Sequence, residues 1–353
     1  MDWSALPGDL LRLFSRRLHD PLDFLRFRAV CRTWRSAAAA SPPPFLPWLL
    51  ARPVHPTARP SLSFYSLSSA ALRSVAAPSA TCCLLGHASS HLLFSDHGHP
   101  SNPLLLANPL TGADLPLPPS PFDAFAPITQ GYYLPGPDSP VVIYDATRVF
   151  FHHPGGGGGE STSPGWTKVP VEDLVAENMY HAGKMFVCND RGRLTIFDAT
   201  TLAVLGDAAP PPPPPAATLH GDAFRCSSFV PSGDELLCVI RYFRSKNKAQ
   251  GELLEDPCAL EVHRLEISSE KGAKPRWVQM RSIGDRMLFV GLYQGFSLRA
   301  ADFAGLEGNC IYFFRMDRAS RSFIYRFSMN DGHIDELPGP WMHACTWFVP
   351  SLS

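Results

Sequence analysis

Thirty-six prolines in 353 residues, scattered along nearly the whole chain, set the tightest limit on what this sequence can fold into. Each proline ends or kinks a helix, because it lacks an amide hydrogen and its ring collides with the carbonyl four residues back. A mostly helical protein is therefore excluded. Adding the 26 glycines gives 62 punctuating residues, about 18% of the chain, which is below the level that marks a wholly disordered sequence. At 45% hydrophobic residues the chain can bury a core, and its length suits one large domain or a small one joined to a large one.

Thirty-one Lys and Arg against 32 Asp and Glu give a formal net charge of −1, so no global charge argues for a nucleic-acid or membrane partner. Residues 1–50 hold seven Arg and four Asp, a local net of +3, but the aspartates are interleaved and the stretch reads as a solvated face. Nine cysteines include no CxxC pair, and several lie in apolar runs, as Cys238 does in 236–240 and Cys310 does before 311–314. Buried free thiols in a reducing compartment explain this better than disulfides or zinc. No stretch approaches 18 apolar residues, and the charged N-terminus lacks the apolar core of a secretory signal. The expectation is a cytoplasmic or nuclear protein.

The chain changes character near residue 41. Before it, Leu10, Leu11, Phe14 and Leu18 recur at helical spacing, as do Phe27, Val30, Cys31 and Trp34. Pro7 and Pro21 suit first-turn positions, Asp20 suits an N-cap, and the alanines at 37–40 extend a last helix until Ser41-Pro42-Pro43-Pro44 stops it. Residues 1–41 thus read as two or three short helices, too few for a robust core, which points to a partner surface. Residues 42–60 read as a proline-rich linker. From 61 to 348 the pattern is short β-branched and aromatic runs separated by Gly, Pro, Asp and Asn, among them Val141–Tyr144, Met185–Cys188, Leu194–Phe197, Leu236–Phe243, Met287–Val290 and Ile311–Phe314. Asn189-Asp190-Arg191-Gly192 between two such runs reads as a hairpin turn.

A weak repeat of the form strand, Asn/Asp-Gly turn, strand, Leu-Pro occurs in 106–118 and 325–338. Trp166–Val169 and Trp277–Met280 look like equivalent last strands of two units. Repeats of four short strands imply a β-propeller of six or seven blades, with a pair of β-sandwiches as the structural alternative. A strand near Leu62–Tyr65 and the tail Thr346–Val349 are expected to close the ring by pairing an early strand with the last blade. The pentaglycine 155–159 and hexaproline 210–215 read as exposed loops.

No catalytic, cofactor or metal motif emerges. The pentaglycine lacks the Gly-Lys-Ser/Thr of a phosphate cradle, and neither a Gly-x-Ser-x-Gly elbow nor a His-Glu-x-x-His motif is present. His87, His91, His97 and His99 with Asp96, and His152 with His153, read as solvated loop histidines. The acidic pairs Glu172-Asp173 and Asp234-Glu235 read as turn residues.

Trp3-Ser4-Ala5-Leu6-Pro7-Gly8-Asp9-Leu10-Leu11, followed by Phe14 and Leu18, resembles the opening of an F-box. Asp23 to Arg35, with its Val30-Cys31-x-x-Trp34-Arg35 ending, resembles the second half. The remainder is similar to the kelch-like domain of unknown function that follows the F-box in a large plant family. That resemblance rests on 141–144, 183–186, 194–198 and 309–313. It implies a small all-α F-box of three short helices ahead of the all-β domain. It also implies a non-catalytic substrate receptor that needs no cofactor, with the F-box binding a Skp1-like adaptor, and through it a cullin, while the β domain binds a target protein. Neither nucleic acid nor membrane is implied as a partner. Trp3, Leu6, Pro7, Leu10, Leu11, Phe14, Phe24, Val30, Cys31 and Trp34 are the residues the resemblance assigns to the adaptor. An adaptor-bound scaffold or inhibitor that does not drive degradation, and a propeller enzyme, are the competing readings.

Overall fold

Pro7 fixes an extended residue (φ −56°, ψ 136°) ahead of the first helix, α1 (Gly8–Ser15), and its carbonyl accepts the amide of Leu11. Asp20 caps α2 (Pro21–Ala29), its carboxylate accepting the amides of Leu22 (3.0 Å) and Asp23 (3.4 Å), as a short acidic residue before a first-turn proline should. The third helix, α3 (Arg32–Ala37), is shorter than the alanine run suggests: Ala38 already has an extended backbone (ψ 145°). Alanine propensity alone cannot prolong a six-residue helix that has so little to pack against. Leu11, Phe27 and Ala37 form the core of this unit, with Leu6, Leu18 and Trp34 packed around them.

The computed structural model describes residues 6–38, 42–51, 61–76, 82–88, 91–96, 103–122, 130–133, 140–152, 165–213, 223–247, 252–268, 273–291, 295–303, 305–316, 322–339 and 344–352. The pentaglycine lies outside them.

Beyond the helices the chain forms a six-bladed β-propeller. Blade one takes β1 (Trp48–Ala51), β2 (Ser61–Ser66) and β3 (Ala71–Ala76). Blade two is β4 (Cys82–Ala88), β5 (His91–Asp96), β6 (Leu104–Asn108) and β7 (Ala113–Pro116). Blade three is β8 (Gln130–Tyr133), β9 (Val141–Tyr144), β10 (Val149–His152) and β11 (Thr167–Val169), and its inner strand meets that of blade two where Gly86 and Gly131 pair. Blade four is β12 (Val175–His181), β13 (Lys184–Asn189), β14 (Leu194–Asp198) and β15 (Val204–Ala208). Blade five is β16 (Ala223–Ser232), β17 (Glu235–Asn247), β18 (Glu252–Glu266) and β19 (Arg276–Met280).

Blade six departs from a simple meander. It contains β20 (Arg286–Val290), β21 (Gly295–Arg299), β22 (Cys310–Met316), β23 (Ser322–Ser328) and β24 (Ile334–Leu337), in the order β21-β20-β22-β23-β24. Parallel neighbours need a crossover, and β21 with a short 3₁₀ turn, Ala300–Asp302, makes the one between β20 and β22. The last strand, β25 (Ala344–Phe348), crosses back to blade one and pairs with β1.

Two expectations are corrected by this closure. The chain's last strand completes the first blade, so it is not an early strand that completes the last one. The pairing strand, Trp48–Ala51, lies inside the stretch read as linker, where flanking prolines hide a four-residue run whose Trp48, Leu49 and Leu50 are fully buried. The hexaproline is also not wholly an exposed loop. Pro211 is buried and its carbonyl accepts from Arg225 (3.2 Å), while Pro214 and Pro215 lie outside the described residues.

The core is a set of layers between blades. Val142, Tyr144 and Phe151 of blade three meet Met185 and Ile196 of blade four, and these adjoin Phe229, Cys238 and Ile240 of blade five. Further layers join blades five and six through Val239, Val262, Leu288 and Phe313, and blades six and one through Phe289, Tyr312, Leu49 and Trp347. This is why the β runs carry apolar residues on both faces rather than in strict alternation. Asn189 supports its predicted turn through a side-chain oxygen that accepts the amides of Arg191 (3.1 Å) and Arg193 (2.9 Å), with Gly192 at φ +79°.

Candidate functional site

The helix α1 presents two different faces. Leu11 and Ser15 turn inward and are fully buried, whereas Leu10, Leu13 and Phe14, one helical turn apart, face solvent at 43–49% exposure. Val30, just past α2, is 56% exposed, and Pro7 is exposed at the start of α1. An ion pair of Arg12 with Asp9 sits beside this apolar stripe and leaves it uncovered. Four large apolar side chains held open to water on a unit of some thirty residues are costly unless a partner covers them.

The residues assigned from sequence therefore divide. Pro7, Leu10, Phe14 and Val30 are on the surface. Leu11 and Phe24 are fully buried in the chain itself, Phe24 against Phe45 with ring centroids 5.9 Å apart, so they support the face from behind and do not present to a partner. Leu6 and Trp34 are half-buried in the helical core, Trp34 with its ring 4.7 Å from Phe27, and Cys31 is the half-buried residue that opens α3. Trp3 lies outside the described residues. Leu13 was missed, although its position three residues after Leu10 was the available signal once α1 is started at Gly8.

Asp20 does more than cap α2. Its second carboxylate oxygen accepts from Ser66 (2.8 Å) and lies 3.6 Å from Arg73, both on blade one, and the group is almost wholly buried. On the neighbouring blade, the ring of His19 lies 5.5 Å from that of Phe303, which follows the 3₁₀ turn of blade six. The helical unit is thus tied to the propeller at the junction of blades six and one, on the end of the ring that carries the β2–β3 turn.

Among the described residues, two clefts of the ring hold charged side chains. One, of about 280 Å³, lies between blade four and the segment entering it from blade three, lined by Pro170, Val171, Leu174, Val187, Phe197 and Val204 with a rim that includes Glu172, Asp173, Arg193 and Asp207. Its loops, before β12 and between β13 and β14, are at the end of the ring opposite the helical unit. The other, of about 520 Å³, lies between blades four and five at the nearer end, around His181, Lys184, Asp234 and Ile267. At its wall Glu235 accepts from Arg264 (3.0 Å) and from Arg286 of blade six (2.5 Å). Burial alone would raise the Glu235 carboxyl, but these two guanidiniums outweigh it and hold it below the usual carboxylate range.

Buried polar groups elsewhere act as ties between blades. Arg241 donates to Ser228 (3.0 Å) and to the carbonyl of Gly291, just beyond β20 (3.1 Å). Burial keeps Glu177 protonated well above its ordinary value, and it accepts the amide of Phe229 across the blade four–five interface. The histidines are not all in loops, as sequence suggested: His87 and His91 lie on the paired strands β4 and β5, and burial lowers the pKa of His91. His152 ends β10 with its Nδ1 2.6 Å from the Gly165 carbonyl, and its ring stands 5.5 Å from that of Trp166. His97, His99 and His153 lie outside the described residues. Among the described residues no group of three His, Cys, Asp or Glu side chains is placed to hold a metal ion, and no helix is long and apolar enough to cross a membrane.

Compared with known proteins, residues 64–332, about three quarters of the chain, match the KIB1-4 beta-propeller family. F-box protein At2g26160 of Arabidopsis thaliana is 28% identical over 92% of this chain and 98% of its own length. F-box protein At4g35733 of the same plant is 22% identical over 99% of this chain and 98% of its own. A shorter and sharper likeness, 51% identity over 43 residues, is to F-box protein SKIP23 of Arabidopsis thaliana, spanning 12% of this chain and 11% of that one. With three short helices ahead of a six-bladed ring, and two F-box relatives that match over nearly their whole length, the chain belongs to the plant F-box proteins that carry a C-terminal KIB1-4 β-propeller.

Proposed function

We propose that the chain is the target-recognition subunit of a Skp1–cullin–F-box ubiquitin ligase. Its helical unit binds a Skp1-like adaptor, and its propeller binds a target protein. In this role it carries out no chemistry. It raises the effective concentration of a target lysine near the ubiquitin-conjugating enzyme, as tethering does in general. The observation that carries the reading is the apolar stripe Leu10, Leu13 and Phe14, left open on a helix whose opposite face is fully buried. The tie through Asp20 supports it, because a receptor must transmit position from adaptor to target.

Leu10→Asp combined with Phe14→Asp tests this. Both side chains are exposed, so the variant keeps the melting temperature of the parent. Loss of one well-packed hot-spot residue costs about 2 kcal/mol or more, roughly thirtyfold in affinity. The double variant is expected to lose co-purification of a Skp1-like adaptor, and retained binding would overturn the assignment.

A further inference from the structure

We propose that the cleft of blade four, beside the segment that enters it from blade three, binds an extended segment of the target in which an apolar side chain is flanked by lysine or arginine. Calling the occupant the target rests on the receptor reading above; the preference for such a segment does not.

Size comes first. At about 280 Å³ the cleft falls just below the range of roughly 300–1,000 Å³ typical for small-molecule sites, and it suits one anchoring side chain. Its floor is apolar, from Val187 and Phe197, and its lip is formed by Leu174 and Val204. With the adjacent Leu205 these are 50–60% exposed, three of the largest apolar exposures on the propeller. Large apolar groups gathered at the mouth of a cleft with an apolar floor mark a site that a partner covers.

Charge selects the flanks. Three carboxylates, Glu172, Asp173 and Asp207, line the cleft against one guanidinium, Arg193, a formal net of −2. Arg193 is engaged with Asp207 (2.9 Å), and Asp173 accepts from Asn189 (2.9 Å), so no free cation offsets the rest among the lining groups. An acidic or phosphorylated segment would be repelled here, and a basic one attracted.

Backbone geometry favours an extended occupant. The strand β15 ends its sheet beside the lip, and an edge strand can hydrogen-bond an added one. The cleft is also at the end of the ring opposite the helical unit and across from the blade six–one junction, so a target seated there does not compete with the adaptor.

The test uses the full-length chain and two fluorescein-labelled nonapeptide pools, each with a central Leu in a Gly/Ser frame, one flanked by Lys and Arg and the other by Glu and Asp. The basic pool is expected to bind, and to bind more weakly as salt screens the rim. Leu174→Gln with Val204→Gln, and separately Glu172→Lys, should each weaken it about tenfold or more, with melting temperature and adaptor co-purification unchanged. The proposal is overturned by equal binding of the two pools, by no binding of the basic pool, or by undiminished binding in the Gln variant. A dimer of the parent that the Gln variant dissolves would also overturn it, by making a second copy of the chain the occupant. Failure of the parent chain to bind any Skp1-like adaptor would overturn the receptor reading alone and leave the peptide preference standing.

Discussion

Gly308 has no side chain because nothing would fit: a Cβ there would lie 2.7 Å from the Cα of Asp285 and 2.9 Å from the carbonyl oxygen of Gly284. These are backbone atoms, which cannot rotate away. Gly332 differs, with φ +73° and open space around it, so only its left-handed backbone resists substitution. Gly332→Ala is expected to cost about 1–2 kcal/mol and Gly308→Ala more, through strain of the overpacking kind, typically about 1–3 kcal/mol and sometimes beyond. Equal urea midpoints for the two variants would contradict this order. Glu235 makes a second prediction at this scale. Its carboxyl is held below the ordinary 4.5 in the folded state, so its contribution to stability is complete above that value and is lost as pH falls through the lower, folded one. The melting temperature of Glu235→Gln should therefore fall less than that of the parent between about pH 5 and pH 3, and parallel profiles would show that Glu235 contributes nothing to acid lability. Residue roles of this kind are hard to read from sequence. That Leu11 is buried and Leu10 exposed depends on how α1 is rotated, and the rotation is set by Phe27 and Ala37, which arrive later in the chain.

Elements were more legible than their partners. Val141–Tyr144 is a strand with the bounds the sequence suggested, and the runs at 185–188, 194–197, 236–243, 287–290 and 311–314 all fall inside strands. The last-strand pair also holds, as β11 and β19 each end a blade. Periodicity failed where a strand's identity depends on its neighbour. Trp48–Ala51 is four residues long and becomes a strand because β25 lies on one side of it and β2 on the other. No local pattern announced the parallel β20–β22 pair either, since a crossover is a property of the sheet. The closure strand itself is testable. Trp347 is buried, donates to the Val290 carbonyl (3.1 Å), and stands edge-on to Phe289 and Phe314. Trp347→Ala should cost about 3–5 kcal/mol, and removal of residues 344–353 should leave the chain insoluble by exposing the inner edge of blade one. A soluble truncation with an unchanged melting temperature would mean that β25 does not close the ring.

At the scale of the whole molecule, the joint between helices and ring decides whether the two ends act as one body. Asp20 alone supplies the cap of α2 and the bond to Ser66, with Arg73 nearby. Asp20→Ala removes all three, and cap loss by itself costs about 0.5–2 kcal/mol. The variant should become sensitive to protease between α3 and β1 at temperatures where the parent resists cleavage, while the propeller's own melting transition stays in place. Unchanged cleavage would show that His19, Phe303 and Leu22 suffice to hold the joint.

Because the ring is sealed by the final strand, its order of assembly is fixed by synthesis. As the chain leaves the ribosome at roughly 5–20 residues per second, the helical unit and β1 emerge first, and the inner edge of β1 then stays unpaired until residues 344–348 appear. Every blade can form before the ring can lock. A message cut short between Leu337 and Ala344 yields a chain that carries every strand but β25 and has an open seam, a ready substrate for chaperones and proteases. Any partner that captured the nascent α1 stripe would be holding a propeller that is not yet closed.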